Sequence, residues 1–89
     1  MTGRWLRRLL LGRGVRVLPV DRQNLQYQED GRRMTIAAQM LTDGFEIAVC
    51  SIVTWDDSNG ELIDEAERQR ILQNVRSYLE SKGQKVVLG

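Results

Sequence analysis

The chain has 89 residues, 42% of them hydrophobic and 28% charged, with a formal net charge of +1. That length and composition fit one soluble domain with one modest core, stable without disulfides or a structural metal. With no histidine and a single cysteine, Cys50, the chain cannot build a Cys/His zinc centre, an intrachain disulfide or an imidazole-activated nucleophile.

The small net charge hides an asymmetry. Residues 1–14 hold Arg4, Arg7, Arg8 and Arg13 with no acid, so the remainder carries nine basic residues against 12 acidic ones. The apolar run Leu9-Leu10-Leu11 is far shorter than the ~20 residues of a membrane span or the roughly 7–15 of a secretory signal core. At helical spacing Leu6, Leu9 and Leu10 share a face beside Trp5, but so short a helix is marginal in water. Residues 1–13 are therefore expected to be a mobile basic segment ahead of a single domain over 14–89. The competing expectation is that this segment touches an anionic membrane or RNA.

Val15 to Val20 reads as a first strand, with Pro19 placing it at a sheet edge or at the strand's own end. Leu25 to Glu29 alternates apolar and polar residues, which predicts a half-exposed strand. Asp30-Gly31 is a strong hairpin signal, and Arg33 to Leu41 forms the return strand with Met34, Ile36, Ala38 and Met40 on one face. After a second Asp-Gly turn, Asp43-Gly44, the pattern predicts one long central strand from Phe45 to Trp55. Phe45, Ile47, Val49, Val53 and Trp55 would share one side of it, and Ile52 would lie opposite with Cys50 packed in the strand interior. A packed thiol of this kind fits a reducing, cytoplasmic location.

Asn59-Gly60 marks the next turn. Asp64 then reads as a helix N-cap, with Glu67 three residues on to complete a capping box and Glu65 favouring the positive helix end. Ile71, Leu72, Val75, Tyr78 and Leu79 form the apolar stripe of a helix over 65–82, stopped by Gly83. Gln84 to Leu88 is a short final strand whose place in the sheet is open; as an uncapped edge it would allow a weak homodimer in place of a monomer. The expected fold is α+β, a mostly antiparallel four-stranded meander packed on one long helix, followed by that last strand.

The densest chemistry lies between Trp55 and Arg70, where Asp56, Asp57, Glu61, Asp64, Glu65 and Glu67 fall within twelve residues with no basic residue among them. Asp56, Asp57, Glu61 and Asp64 could be paired carboxylates for acid/base work, or ligands for a hard cation. Asp57-x-Asn59-x-Glu61 imitates the opening of a calcium loop, but Gly60 stands at the fourth position and Arg68 at the twelfth, where a bidentate glutamate belongs. Turn formation and capping account for Asp57, Asn59 and Asp64 without metal. No cofactor and no catalytic residue is expected. Nucleic acid is not expected as a partner, because the arginines at the N-terminus and at Arg32-Arg33 are separated and no Gly-rich phosphate loop or aromatic-basic strand motif accompanies them.

The segment G-F-E-I-A-V-C-S-I-V-T-W-D from Gly44, the polar turn after it, and I-D-E-A-E-R-Q-R-I-L leading to a glycine-stopped helix resemble the immunity protein 74 family of bacterial polymorphic toxin systems. With the preceding G-R-R hairpin, the resemblance covers roughly residues 24–83 and leaves the Arg-rich residues 1–14 outside. It implies a cytoplasmic, non-catalytic protein that binds and neutralises a cognate toxin. The residues themselves point to a protein partner with a basic surface, engaged by a corner built from Trp55, Asp56, Asp57, Glu61, Asp64 and Glu65. Trp55 would be its apolar anchor, and the carboxylates would steer association. The other reading of Trp55 is that it closes the core edge.

Overall fold

The computed structural model describes residues 14–89; the expectations for residues 1–13 lie outside the described residues. Five strands form one sheet in chain order: β1 (Val15–Asp21), β2 (Asn24–Glu29), β3 (Arg32–Met40), β4 (Gly44–Ile47) and β5 (Lys85–Leu88). The helix α1 (Glu65–Ser81) lies between β4 and β5 in sequence. The β1–β2, β2–β3 and β3–β4 pairings are antiparallel, whereas β5 returns parallel to β4 after the helical crossover. The fold is α+β as its pattern predicts, and the open question of the last strand resolves as a parallel edge.

Local chemistry explains the joints. Asp30 and Gly31 have φ of 51° and 82°, the left-handed pair that a two-residue hairpin needs to match strand twist. Asp21 accepts a 2.8 Å hydrogen bond from the Gln23 N–H and others from the Asn24 amide. These bonds hold its carboxyl below the usual carboxylate range and turn the chain from β1 into β2. Asp64 caps α1 by accepting from the Glu67 N–H at 2.8 Å. At the other end Gly83 N–H bonds Glu80 O and Gln84 N–H bonds Leu79 O, both at 3.0 Å, with Gly83 at φ 80°. That pair of bonds satisfies the last helical carbonyls and stops the helix.

The core lies between one sheet face and α1. Val17, Leu25, Tyr27, Met34, Ile36, Ala38, Phe45 and Ile47 from the strands pack with Ile71, Leu72, Val75 and Leu79 from the helix, while Tyr78 is half-buried beside them. Met40, expected on the same face, is 48% exposed; it is the last residue of β3, paired with Phe45 at the end of the β3–β4 ladder.

The largest departure from the pattern is after Ile47. No long strand continues to Trp55. The chain leaves the β4 ladder at Ala48, makes a 3-10 turn over Val49–Ser51, and regains only an isolated bridge between Thr54 and Leu62. Ile52 and Trp55, three residues apart rather than on alternate faces, both enter the core at 0% and 4% exposure, and Val53 faces out. Cys50 is exposed on the turn instead of packed in a strand. Period-two reading fails here because two residues at turn spacing, not strand spacing, fill the space beside β3.

Tyr27 is fully buried, and its hydroxyl donates to Glu29 at 2.6 Å and accepts from Asn74 at 2.9 Å. Burial, then the Glu29 carboxylate, pushes the phenol well above its ordinary value. The folded state thus holds this proton more tightly than the unfolded chain does. The associated stability is complete below about pH 10 and is lost as pH rises through the folded value. Tyr27→Phe should flatten the alkaline limb of a stability-versus-pH curve measured by urea unfolding. At the β4–β5 contact, a Cβ on Gly44 would sit 1.8 Å from the Lys85 carbonyl oxygen. Gly44→Ala should therefore displace β5, lowering stability by about 1–3 kcal/mol as overpacking does and speeding amide exchange over residues 85–88.

Candidate partner-binding site

The acidic corner is assembled by three pieces: the segment beside β3, the turn from Asp57 to Ile63, and the first turn of α1. Backbone bonds hold the turn, with Ser58 N–H to Trp55 O at 3.2 Å and Ile63 N–H to Val53 O at 2.9 Å. The Thr54 hydroxyl lies 2.7 Å from that of Ser58 and donates to Glu61 O at 2.9 Å, and Ser58 Oγ donates to Trp55 O. A turn held this way presents its side chains at low ordering cost.

Trp55 is the pin. Its ring is buried against Tyr27, centroids 6.0 Å apart, and its Nε1–H donates to Glu67 Oε2 at 2.7 Å. The Arg32 guanidinium stands 4.4 Å over the ring. Trp55 therefore closes the core edge and offers no exposed anchor. Glu67 in turn does not complete the capping box expected with Asp64, since its carboxylate is drawn to the indole and lies 3.8 Å from Arg70. Arg70 also pairs with Glu29, which links the corner to the Tyr27 network.

The expected acidic residues divide by duty. Asp56 accepts from the Thr35 N–H at 3.2 Å and the Thr35 hydroxyl at 3.3 Å, while its own N–H bonds Arg33 O at 2.8 Å. It serves as a surrogate sheet partner along the second edge of β3. Asp64 is the N-cap. Glu65 bonds Arg68 and, at 2.8 Å, Gln69. Asp57 lies 3.7 Å from Arg32 with both side chains about half exposed, an ion pair of little energetic weight in water. The Glu61 side chain is exposed, and its carboxylate makes no hydrogen bond or ion pair with a described residue. Among the described residues no group of three or more His, Cys, Asp or Glu could hold a metal ion.

Sequence reasoning missed the apolar member of this surface. Leu62 is 75% exposed and lies between Glu61 and Ile63 on the rim of a cleft of about 230 Å³, lined also by Arg32, Trp55, Ser58, Asp64 and Glu67. The bridge from Leu62 to Thr54 turns neighbouring residues to opposite sides, so Ile63 packs on the core and Leu62 points away. The adjacent apolar pair Leu62-Ile63 was the available signal; only the bridge register tells which of the two is outside.

These duties separate by mutation. Asp56→Ala removes both side-chain bonds to Thr35 and should cost about 1–2 kcal/mol at this exposed edge, with faster amide exchange at Thr35. Glu61→Ser should leave the unfolding midpoint within about 0.5 kcal/mol of the parent. Urea titration with exchange by NMR reads both.

No helix among the described residues is long and apolar enough to cross a membrane. No curated protein and no solved structure matches the chain. The family described as Immunity protein 74 matches it over residues 17–88. That span runs from within β1 to the end of β5, taking in the whole acidic corner, and the chain belongs to the Immunity protein 74 family.

Proposed function

We propose that the protein is an immunity protein that binds a cognate bacterial toxin through the acidic corner and neutralises it by occupancy, without chemistry of its own. The observation that carries this reading is the set of exposed carboxylates on Asp57, Glu61, Asp64 and Glu65, mounted on a hydrogen-bonded turn and a helix start. Family membership supplies the class of partner. A rigid acidic surface raises the local negative potential and speeds encounter with a basic partner.

Trp55 and Asp56 contribute by holding the corner in place, and Asp57, Glu61, Asp64 and Glu65 face the partner. Acting in the cytoplasm, where an incoming toxin would meet it, the protein needs no cofactor for this role. The chemistry of the partner surface follows from the charge: a lysine- or arginine-rich patch, such as a toxin uses to hold a phosphate-bearing substrate.

The test needs the cognate toxin, to be sought among the products of the genes neighbouring this one. Replacing Asp57 and Glu61 with serine should slow association by about tenfold at low salt and by less at high salt, since exposed charges are screened beyond about 10 Å at 0.1 M. Dissociation should change less than association. Association unchanged at every salt concentration, in a variant shown to be folded, would place the contact elsewhere on the molecule.

A further inference from the structure

The two edges of the sheet are not equivalent. At β1, the bond from Asp30 N–H to Gly14 O at 3.1 Å sets the antiparallel alternation, so positions 14, 16 and 18 bond β2 while 15, 17 and 19 point outward. Position 19 is Pro19, which has no N–H, and the register shifts between Pro19 and Asp21. This edge offers a broken row of donors, as protected edges do.

At β5 the row is whole. Lys85 N–H bonds Asp43 O at 2.9 Å and Gly89 N–H bonds Ile47 O at 2.8 Å, so alternate residues 85, 87 and 89 face β4. The N–H and C=O groups of Val86 and Leu88 point away from β4, to a side where no strand among the described residues pairs with them. Within Val86–Leu88 there is no proline, charge or bulge. The apolar side chains there are incompletely covered: Val87 is 38% and Leu88 46% exposed. By the parallel register, Val86 and Leu88 lie on the core side with Phe45 and Ile47, and Val87 lies on the outer side with Glu46.

We propose that β5 pairs antiparallel with β5 of a second copy about a twofold axis through Val87, forming one continuous ten-stranded sheet. Only registers that place residues of equal parity opposite each other keep core-side residues on one face. Centring on Val87 sets Val86 opposite the partner's Leu88 and Leu88 opposite the partner's Val86. All four are outward-bonding positions, so the pairing makes four backbone hydrogen bonds. Centring on Val86 makes only two within Val86–Leu88 and sets Val87 against the partner's Lys85. The favoured register covers Val86 and Leu88 on the core side and sets the two Val87 side chains against each other on the outer side. A second copy is the occupant because the strand is complementary to itself in bonding pattern and in apolar pattern. The contact is short, so the dimer is weak and concentration-dependent.

The register makes a residue-specific test possible. The Val87 pair is a non-hydrogen-bonded pair, with Cα atoms about 4.5 Å apart, inside the range a disulfide can close. In a Cys50→Ser background, Val87→Cys should form a covalent dimer under mild oxidation at least about tenfold faster than Val86→Cys or Leu88→Cys. Sedimentation of the unmodified chain should show a dimer that grows with concentration and is abolished by Val87→Lys, which opposes like charges across the axis. A parent chain that stays monomeric up to millimolar concentration would overturn the proposal. So would cross-linking at residue 86 or 88 as fast as at residue 87, or a dimer untouched by Val87→Lys.

Discussion

The structure depends on how the second edge of β3 is satisfied. A strand lined by β2 on one side must find partners on the other, because buried or half-buried N–H groups left without them are costly. β4 supplies the ladder only for Ala38 to Met40. Beyond it the chain from Ala48 to Asp56 runs beside Arg33 to Ala37 and bonds it at intervals. Ala48 N–H bonds Ala37 O at 2.9 Å, Ala37 N–H bonds Ser51 Oγ at 2.9 Å, Thr35 N–H bonds Asp56 Oδ1, and Asp56 N–H bonds Arg33 O. Two side-chain oxygens stand where backbone carbonyls would be. Nine residues thus serve an edge of five, and the surplus length forms the 3-10 turn that brings Ile52 and Trp55 into the core.

From that point the arrangement of the rest follows. Trp55, set by the segment beside β3, binds Glu67 through its indole N–H, which fixes the first turns of α1 against the hairpin end of the sheet. Arg70, one turn further on, reaches Glu29, and Glu29 accepts from Tyr27, whose hydroxyl also receives Asn74. A half-buried polar chain therefore ties helix, hairpin and acidic corner together. No buried side-chain polar atom among the described residues is left without a partner. Such networks are high in consequence, since removing one member strands the others.

The structural duties of the corner carboxylates and the proposed steering of a partner do not exclude each other. Asp56 and Asp64 are engaged on backbone N–H groups and Glu65 on neighbouring side chains, yet an ionised acceptor keeps its charge while it bonds. Structure and steering are compatible in the same residue. What distinguishes Glu61 and Asp57 is that the fold needs them least, so their replacement tests the proposed binding role with the least disturbance of structure.

Much of this protein was legible residue by residue. Asp30-Gly31 sets a hairpin because only left-handed φ values at both positions match the strand twist, and Asp64 with Gly83 bounds a helix whose stripe of Ile71, Leu72, Val75 and Leu79 has helical spacing. These are local rules, satisfied within a few residues. The cluster of acids was legible too, as a count and as a capped turn. The fate of residues 48–56 was not, because alternation of apolar residues describes a strand only if a partner exists along its whole length. Here the partner edge is met by Ser51 and Asp56 side chains, a choice made between residues 14 to 21 positions apart in sequence. The same distance hides the burial of Trp55, the outward turn of Leu62 and the parallel return of β5 beside Gly44. Each is decided where segments meet, by which of two neighbouring apolar residues finds space in the core and which edge still has free hydrogen-bonding groups.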